Sequence, residues 1–139
     1  MASKKVGIDR AVEYQEKLEK FRALFEAAHN SKRSGMGISL EKIEIETGRK
    51  FDKVYVNTGN QRLGRYMVDR NSWAIYGIKS WAQVNDRRWY GTLDTADQWN
   101  WEPYYGSPLP GSAVEKELAN REKEIQDNYR QRGRPRKSV

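Results

Sequence analysis

The chain opens with apolar residues spaced three and four positions apart, a pattern typical of one face of a helix. We predict this helix over residues 9–29, with Asp9 capping its start and charges of both signs on the opposite face. The small, polar, glycine-containing segment "NSKRSGMG" ends it. The predicted apolar face consists of Ile8, Ala11, Val12, Leu18, Phe21, Phe25 and Ala28.

The middle of the chain is rich in β-branched and aromatic residues separated by turn residues, which predicts strands. Asn71, in a predicted turn over residues 70–72, tolerates the left-handed conformation that a tight hairpin needs. Strands at this spacing favour an antiparallel meander, and an isolated hairpin is only marginally stable. We therefore expect the N-terminal helix to cover one sheet face. The predicted strands lie at residues 51–56, 66–69, 73–78 and 88–93.

The segment "ISLEKIEIETGRKF" fits two structures. Ile43, Ile45 and Thr47 alternate with polar residues as they would in a strand. However, Ser39 can cap a short helix that Gly48 would end. Of these two alternatives, we predict the helix.

The last third of the chain begins with an aromatic, proline-containing connector, "WNWEPYYGSPLPG", which we predict to be extended and packed without regular structure. Ser112 and Glu115 then form a capping-box pattern that opens a helix over about residues 113–129. The apolar seam of this helix is thin, so we expect it either to bridge solvent or to dock on a partner. The seam consists of Val114, Leu118, Ile125 and Tyr129.

Together these elements predict an α+β fold, in which a small antiparallel β-meander packs with an N-terminal helix and is followed by a C-terminal helix and a basic tail. The predicted organisation is an N-terminal helix and linker, a β-rich core domain, a C-terminal helix and a flexible basic tail. Their bounds are residues 1–37, 38–110, 111–129 and 130–139.

Charge is concentrated at the C-terminus. The chain of 139 residues carries a net charge of +7, and residues 130–137 hold five cations and no anion. The remainder is therefore nearly balanced. An excess of positive charge favours anionic partners, so the tail is the first candidate contact for a polyanion.

The segment "RGRPRK" at residues 132–137 resembles the core of an AT-hook, the short minor-groove-binding motif of high-mobility-group-type chromatin proteins. A Gly-Arg-Pro backbone is extended and narrow, and flanking arginines suit the negative potential of an A·T-rich minor groove. The resemblance implies phosphate or minor-groove contacts by Arg130, Arg132, Gly133, Arg134, Pro135, Arg136 and Lys137.

Other interpretations of this tail remain open: a solubility appendage, a nuclear-import-like cluster or an RNA-binding arm. A single hook binds weakly, so the body or an oligomer would have to add affinity. If the five cations contact duplex phosphates, the slope of log affinity against log salt is expected to be about −4 to −5.

The five Trp and eight Tyr offer a second candidate interface. Interleaved with arginines, they can stack on single-stranded bases, or they can build the core of a chain that is poor in Leu and Val. We favour the core or a subunit interface. Arg87, Arg88 and Trp89 are nevertheless possible secondary contacts, although Trp89 and Tyr90 should face opposite sides of a strand. The aromatic set is Trp73, Trp81, Trp89, Tyr90, Trp99, Trp101, Tyr104 and Tyr105, interleaved with Arg62, Arg65, Arg70, Arg87 and Arg88.

We expect no catalytic activity, no cofactor and no metal site. Cysteine is absent and His29 is the one histidine, which excludes a Cys-His pair and a multi-histidine zinc site within one chain. We expect His29 to interact with the terminal carbonyls of the first helix or with solvent. Five carboxylates that have no distinctive spacing are the weak candidates for Mg²⁺: Asp69, Asp86, Asp94, Asp97 and Glu102.

The sequence thus predicts a non-enzymatic nucleic-acid-binding protein, with DNA favoured over RNA. Residues 51–95 loosely resemble small β-rich proteins encoded by bacteriophages and other viruses, which implies a viral origin. The alternative is a virion component or interaction protein that uses the connector and C-terminal helix to bind copies of itself or viral structural proteins. With no secretory signal and no membrane-length apolar run, we expect the protein in the host cytoplasm, nucleoid or virion.

Overall fold

A computed structural model describes the backbone of residues 2–137 and the side chains of residues 10–128. It confirms the α+β arrangement, with one helix before and one after a five-stranded antiparallel meander. The elements are α1 (Ala2–Gly35), β1 (Lys42–Glu46), β2 (Phe51–Asn57), β3 (Arg62–Asp69), β4 (Ala74–Ser80), β5 (Gln83–Thr92), a 3-10 helix (Leu93–Gln98), β6 (Trp99–Asn100), β7 (Ser107–Pro108) and α2 (Ala113–Lys137).

Helix α1 packs on one face of the sheet through side chains spaced three and four residues apart. Tyr14, Leu18, Phe21 and Phe25 are all buried, as the periodicity predicted for three of them. Val12, also placed on the apolar face, is 52% exposed. The predicted helix was shorter than α1 at both ends, and Ile8 lies outside the residues whose side chains are described.

The prediction of a helix in the segment around Ile43 was wrong, because this segment is strand β1. It pairs antiparallel with β2, placing Ile43 opposite Val56 and Ile45 opposite Val54. Ile43 is buried beside Val56, a contact that a short isolated helix would not provide. Gly48 lies in the β1–β2 turn, where an added Cβ would approach the Phe51 carbonyl oxygen to 2.3 Å.

The β3–β4 turn also differs from its prediction. Asn71 was expected to take the left-handed conformation, but Trp73 does so, with φ of 68°. The Asp69 carboxylate accepts the backbone N–H groups of Asn71 and Ser72, and the Asp69 carbonyl accepts that of Trp73. This conformation brings the Trp73 ring against Tyr14 of α1, with 5.9 Å between ring centres, so packing offsets the backbone strain.

Helix α2 begins as the capping-box pattern predicted. Ser112 Oγ accepts the Glu115 N–H, and the Glu115 carboxylate accepts the N–H of Gly111 rather than that of Ser112. Val114 is buried and Leu118 partly so, whereas Ile125 is 39% exposed. The helix extends to Lys137, past the predicted end at residue 129, so the backbone of residues 130–137 is helical and not the extended chain that the AT-hook resemblance implies.

Gly91 is a position at which the fold requires glycine. Its φ is +75°, and an added Cβ would lie 2.5 Å from Thr95 Oγ1 and 2.8 Å from Trp99 Nε1. We expect Gly91→Ala to lower the free energy of unfolding by about 2–4 kcal/mol, because strain and overpacking add. Gly111→Ala is the control: Gly111 has φ of +78° but open space around it, so its expected cost is about 1 kcal/mol. Equal losses in urea unfolding would contradict the steric argument.

Candidate nucleic-acid interface

Cations and aromatic rings meet in a groove formed by β3, β4, β5 and the loop between β6 and β7. The groove consists of a larger depression of about 410 Å³ and a smaller one of about 90 Å³. The two adjoin, because Arg65, Ile78 and Tyr104 line both of them. We call this surface the basic–aromatic groove and define it by Arg62, Arg65, Lys79, Trp81, Arg88, Tyr104 and Tyr105.

The loop that carries the two tyrosines is held by a small hairpin. Strand β6 pairs with β7, with Trp99 opposite Pro108. Gly106 packs against Trp101, whose ring would lie 3.0 Å from an added Cβ. Trp101 is itself buried and donates its indole N–H to the Ala96 carbonyl. The connector predicted to lack regular structure therefore contains a short β-hairpin that is anchored to the core.

Arg65 joins this loop to the sheet and to α1. Its guanidinium donates a hydrogen bond of 3.0 Å to the Tyr104 carbonyl oxygen. The same group lies 4.5 Å from the centre of the Tyr104 ring and 4.9 Å from that of Phe25. These distances are those of cation–π contacts, which orient the exposed tyrosine.

Arg88 makes an equivalent contact with the neighbouring tyrosine. Its guanidinium carbon lies 3.8 Å from the centre of the Tyr105 ring. Gly77 on β4 leaves room for the Arg88 stem, since a Cβ added there would lie 3.0 Å from Arg88 Cβ. Tyr104 and Tyr105 thus each have an arginine over the ring.

Trp81 stands at the other end of the groove. Lys53 Nζ lies 3.8 Å and the Arg62 guanidinium 4.9 Å from the Trp81 ring centre. Gly64 permits the close approach of the strands here, because an added Cβ would be 2.6 Å from Ile78 Cδ1. Trp81 is only partly exposed, and two cations already lie over its ring. It therefore lines the groove as a wall and does not offer a free ring face for stacking.

The groove carries an excess of positive charge. Arg65, Lys79 and Arg88 have no ion-pair partner among residues 10–128, whereas Arg62 lies 3.5 Å from Glu46. Glu41 is the acidic residue that lines the larger depression. Its carboxylate is 2.9 Å from His29 Nε2 and 3.5 Å from Arg33, so it contacts these two side chains and not the groove cations. Such a surface attracts anions.

Buried tyrosines support the floor of the groove. Burial raises the pKa of Tyr90, which lines the smaller depression, and also that of Tyr66, which packs edge-on against it with ring centres 5.1 Å apart. Both hydroxyls therefore stay protonated at neutral pH. The positive potential of the groove is not reduced by tyrosinate.

The candidate nucleic-acid contacts predicted from the sequence lie in the C-terminal tail, in the groove and in the core. The side chains of Arg130, Arg132, Arg134, Arg136 and Lys137, with Gly133 and Pro135, lie outside the residues whose side chains are described, so the tail stays a prediction. Arg87 and Arg88 are exposed, and Arg88 belongs to the groove.

Trp89 does not fit the role of a stacking contact. It is 7% exposed, packs edge-on against Trp99 and lies under the Arg121 guanidinium of α2, at 4.5 Å from its ring centre. Tyr90 is also buried, so neither ring of this pair lies on an exposed stacking platform. Both contact Trp99 because the irregular register between β4 and β5 brings them into one cluster.

The remaining aromatic residues divide between core and groove. The preference for a core role is confirmed for Trp73, Trp89, Tyr90, Trp99 and Trp101, which are all buried. Tyr104 and Tyr105 are 65% and 53% exposed. Sequence reasoning did not separate these two from the buried rings, because nothing in their immediate neighbours distinguishes them. It also did not single out Lys79.

The other polar candidates have separate structural roles. His29 pairs with Glu41 instead of the carbonyls at the end of α1, because α1 continues six residues beyond it. Asp69 caps the β3–β4 turn, Asp94 pairs with Lys17, and Glu102 accepts a hydrogen bond from Ser31. Within the described part of the chain, no group of three or more His, Cys, Asp or Glu is placed to hold a metal.

In the same described part, no helix combines the length and apolar character of a membrane span. Comparisons with protein-family models, curated protein sequences and solved structures each found no match to this chain.

Proposed function

We propose that this chain is a non-enzymatic nucleic-acid-binding protein that contacts phosphates through the basic–aromatic groove and through its basic C-terminal segment. The observation that carries the proposal is a set of three cations, Arg65, Lys79 and Arg88, that have no carboxylate partner among residues 10–128 and lie beside exposed tyrosines. Interleaved cations and aromatic rings are the surface chemistry with which proteins bind the backbone and bases of nucleic acids.

Phosphate neutralisation supplies the affinity in this proposal. Each lysine or arginine that contacts a phosphate releases condensed counterions, and this release is favourable at low salt. The groove offers Arg62, Arg65, Lys79 and Arg88, and the C-terminal segment at residues 130–137 adds five more cations. Two linked weak sites bind more tightly than either alone, provided that both reach the same strand. Contact with DNA phosphates remains our proposal for the C-terminal segment, whose backbone is helical up to Lys137. Entry into an A·T-rich minor groove would require this last part of α2 to become extended.

A double substitution of exposed cations tests the groove. We expect Lys79→Gln with Arg88→Gln to lower affinity for a nucleic acid roughly 10-fold and to make the log–log salt slope less steep by about 1.4 for a single strand or 1.8 for a duplex. Arg49→Gln with Lys50→Gln is the matched control, because it removes equal charge from exposed residues at the opposite end of the sheet. Equal effects of the two pairs would assign binding to net charge and contradict a groove site.

A truncation tests the C-terminal segment separately. Removal of residues 130–139 takes away five cations, and we expect the duplex salt slope to become less steep by about 4 to 5. Comparing A·T-rich with G·C-rich duplexes then tests the minor-groove interpretation. An unchanged slope would remove this segment from the proposal.

A second function, as a virion structural or protein-interaction component, is favoured by one observation. Residues 122–128 of α2 are all exposed, and they include Ile125. A largely solvent-exposed helix with a thin apolar seam can dock on a protein neighbour. Under this alternative, the truncation at residue 130 would leave particle or partner association intact.

A further inference from the structure

We infer that the basic–aromatic groove selects single-stranded nucleic acid, with unpaired bases stacking on Tyr104 and Tyr105. This inference rests on the proposed function and adds the form of nucleic acid that the groove takes. It depends on the geometry of the two rings and on the size of the depression beside them.

Tyr104 and Tyr105 are exposed, whereas most other aromatic rings in the described part of the chain are buried. Tyr104 and Tyr105 remain 65% and 53% exposed although Arg65 and Arg88 lie over them. Each ring therefore has an arginine beside it and free surface left over. A base that stacks on such a ring gains dispersion contacts, while the adjacent guanidinium meets the phosphate that follows.

The angle between the rings favours a single strand. The planes of Tyr104 and Tyr105 are 89° apart, with ring centres 4.9 Å from each other. Consecutive bases of a duplex are parallel, so they cannot stack on both rings. A single strand can turn between successive nucleotides and place one base on each ring plane.

The larger depression continues from Tyr104 towards Trp81. Its volume of about 410 Å³ lies within the range of pockets that bind small molecules, so it has room for a splayed nucleotide. Arg62 and Lys79 line this depression, which puts two cations near the phosphates of a strand that follows it. A stacked duplex presents base edges and phosphates to a protein, not base faces.

Substitution of both tyrosines tests this inference in the full chain. Binding is measured by fluorescence anisotropy with labelled oligothymidylate, oligouridylate and a duplex of equal length, at several salt concentrations. We expect the native chain to prefer the single strands. Tyr104→Ala with Tyr105→Ala should lower single-strand affinity at least 10-fold, leaving duplex affinity and the salt slope unchanged. The ratio of oligothymidylate to oligouridylate affinity then identifies the sugar preferred.

Tyr104→Phe with Tyr105→Phe is the matched variant, because it keeps the rings and removes the hydroxyls. It should bind single strands as the native chain does, which separates ring stacking from hydrogen bonding by the hydroxyls, while the unchanged duplex affinity of the alanine variant shows that it is folded. Alanine variants that bind single strands as the native chain does, or that lose duplex and single-strand affinity equally, would overturn the inference while nucleic-acid binding stands. No binding to any of the probes would overturn the proposed function itself.

Discussion

Phe21→Ala is expected to lower the free energy of unfolding by about 3–5 kcal/mol, the range found when a buried phenylalanine is truncated. Phe21 has no exposed surface. Its ring centre lies 4.9 Å from that of Trp101 and 5.7 Å from that of Tyr66, both in edge-on geometry. Truncation would leave a cavity where α1 meets the sheet and the β6–β7 hairpin. Because the hairpin carries Tyr104 and Tyr105, groove binding should weaken as stability falls.

Val12→Ala is the control on the same helix. Val12 is 52% exposed, so its truncation should change the unfolding free energy by no more than about 0.5 kcal/mol. Urea unfolding followed by tryptophan fluorescence measures both variants. A loss below 1 kcal/mol for Phe21→Ala would mean that Phe21, Tyr66 and Trp101 do not form a tightly packed cluster.

Asp52→Ala should also cost about 3–5 kcal/mol, because it leaves a cation and a hydroxyl without their buried partner. The Asp52 carboxylate is fully buried. It accepts hydrogen bonds from the Tyr14 hydroxyl at 2.7 Å, the Arg70 guanidinium at 2.9 Å and the Gly48 N–H at 3.2 Å. These contacts join α1 to the β1–β2 and β3–β4 turns. Arg70, a candidate for base contacts in the sequence, has this structural role instead.

Two variants separate the parts of this network. Burial, together with the hydrogen bond to Asp52, raises the pKa of Tyr14, so its hydroxyl is a neutral donor at neutral pH. Tyr14→Phe removes that one hydrogen bond and should cost about 1–3 kcal/mol. Glu19→Ala, which breaks an exposed ion pair with Arg22, should cost at most about 0.5 kcal/mol. An Asp52→Ala loss as small as that of Glu19→Ala would contradict a linking role for Asp52.

Local pattern was sufficient for most of the fold. The spacing of Leu18, Phe21 and Phe25 predicted the covering helix, and alternation between turn residues predicted the meander, because both signals act between near neighbours in the chain. The same reasoning failed for β1. Strand β1 is only five residues long and is polar on one side. It forms a strand because β2 offers a pairing edge, which is a non-local cause.

The candidate site was predictable only in part. Arg62, Arg65 and Arg88 were named beside the aromatic residues, but composition alone does not distinguish a core ring from an exposed one. Trp89 is covered by Arg121, a residue 32 positions later in the chain. Tyr104 is exposed because its hairpin turns away from the core that holds Trp101. Neither outcome is encoded in the neighbours of the ring.

From the order of its residues alone, this chain determines an α+β meander between two helices and a strongly basic C-terminal segment. Periodicity, turn residues and charge are local properties, and they need no knowledge of the partners in space. Tertiary structure alone decided which aromatic rings are buried, that Trp73 adopts the left-handed conformation and that Arg65, Lys79 and Arg88 have no ion-pair partner among residues 10–128. These features depend on contacts between residues far apart in the chain, and such contacts exist only once the sheet, α1 and the hairpin have packed together.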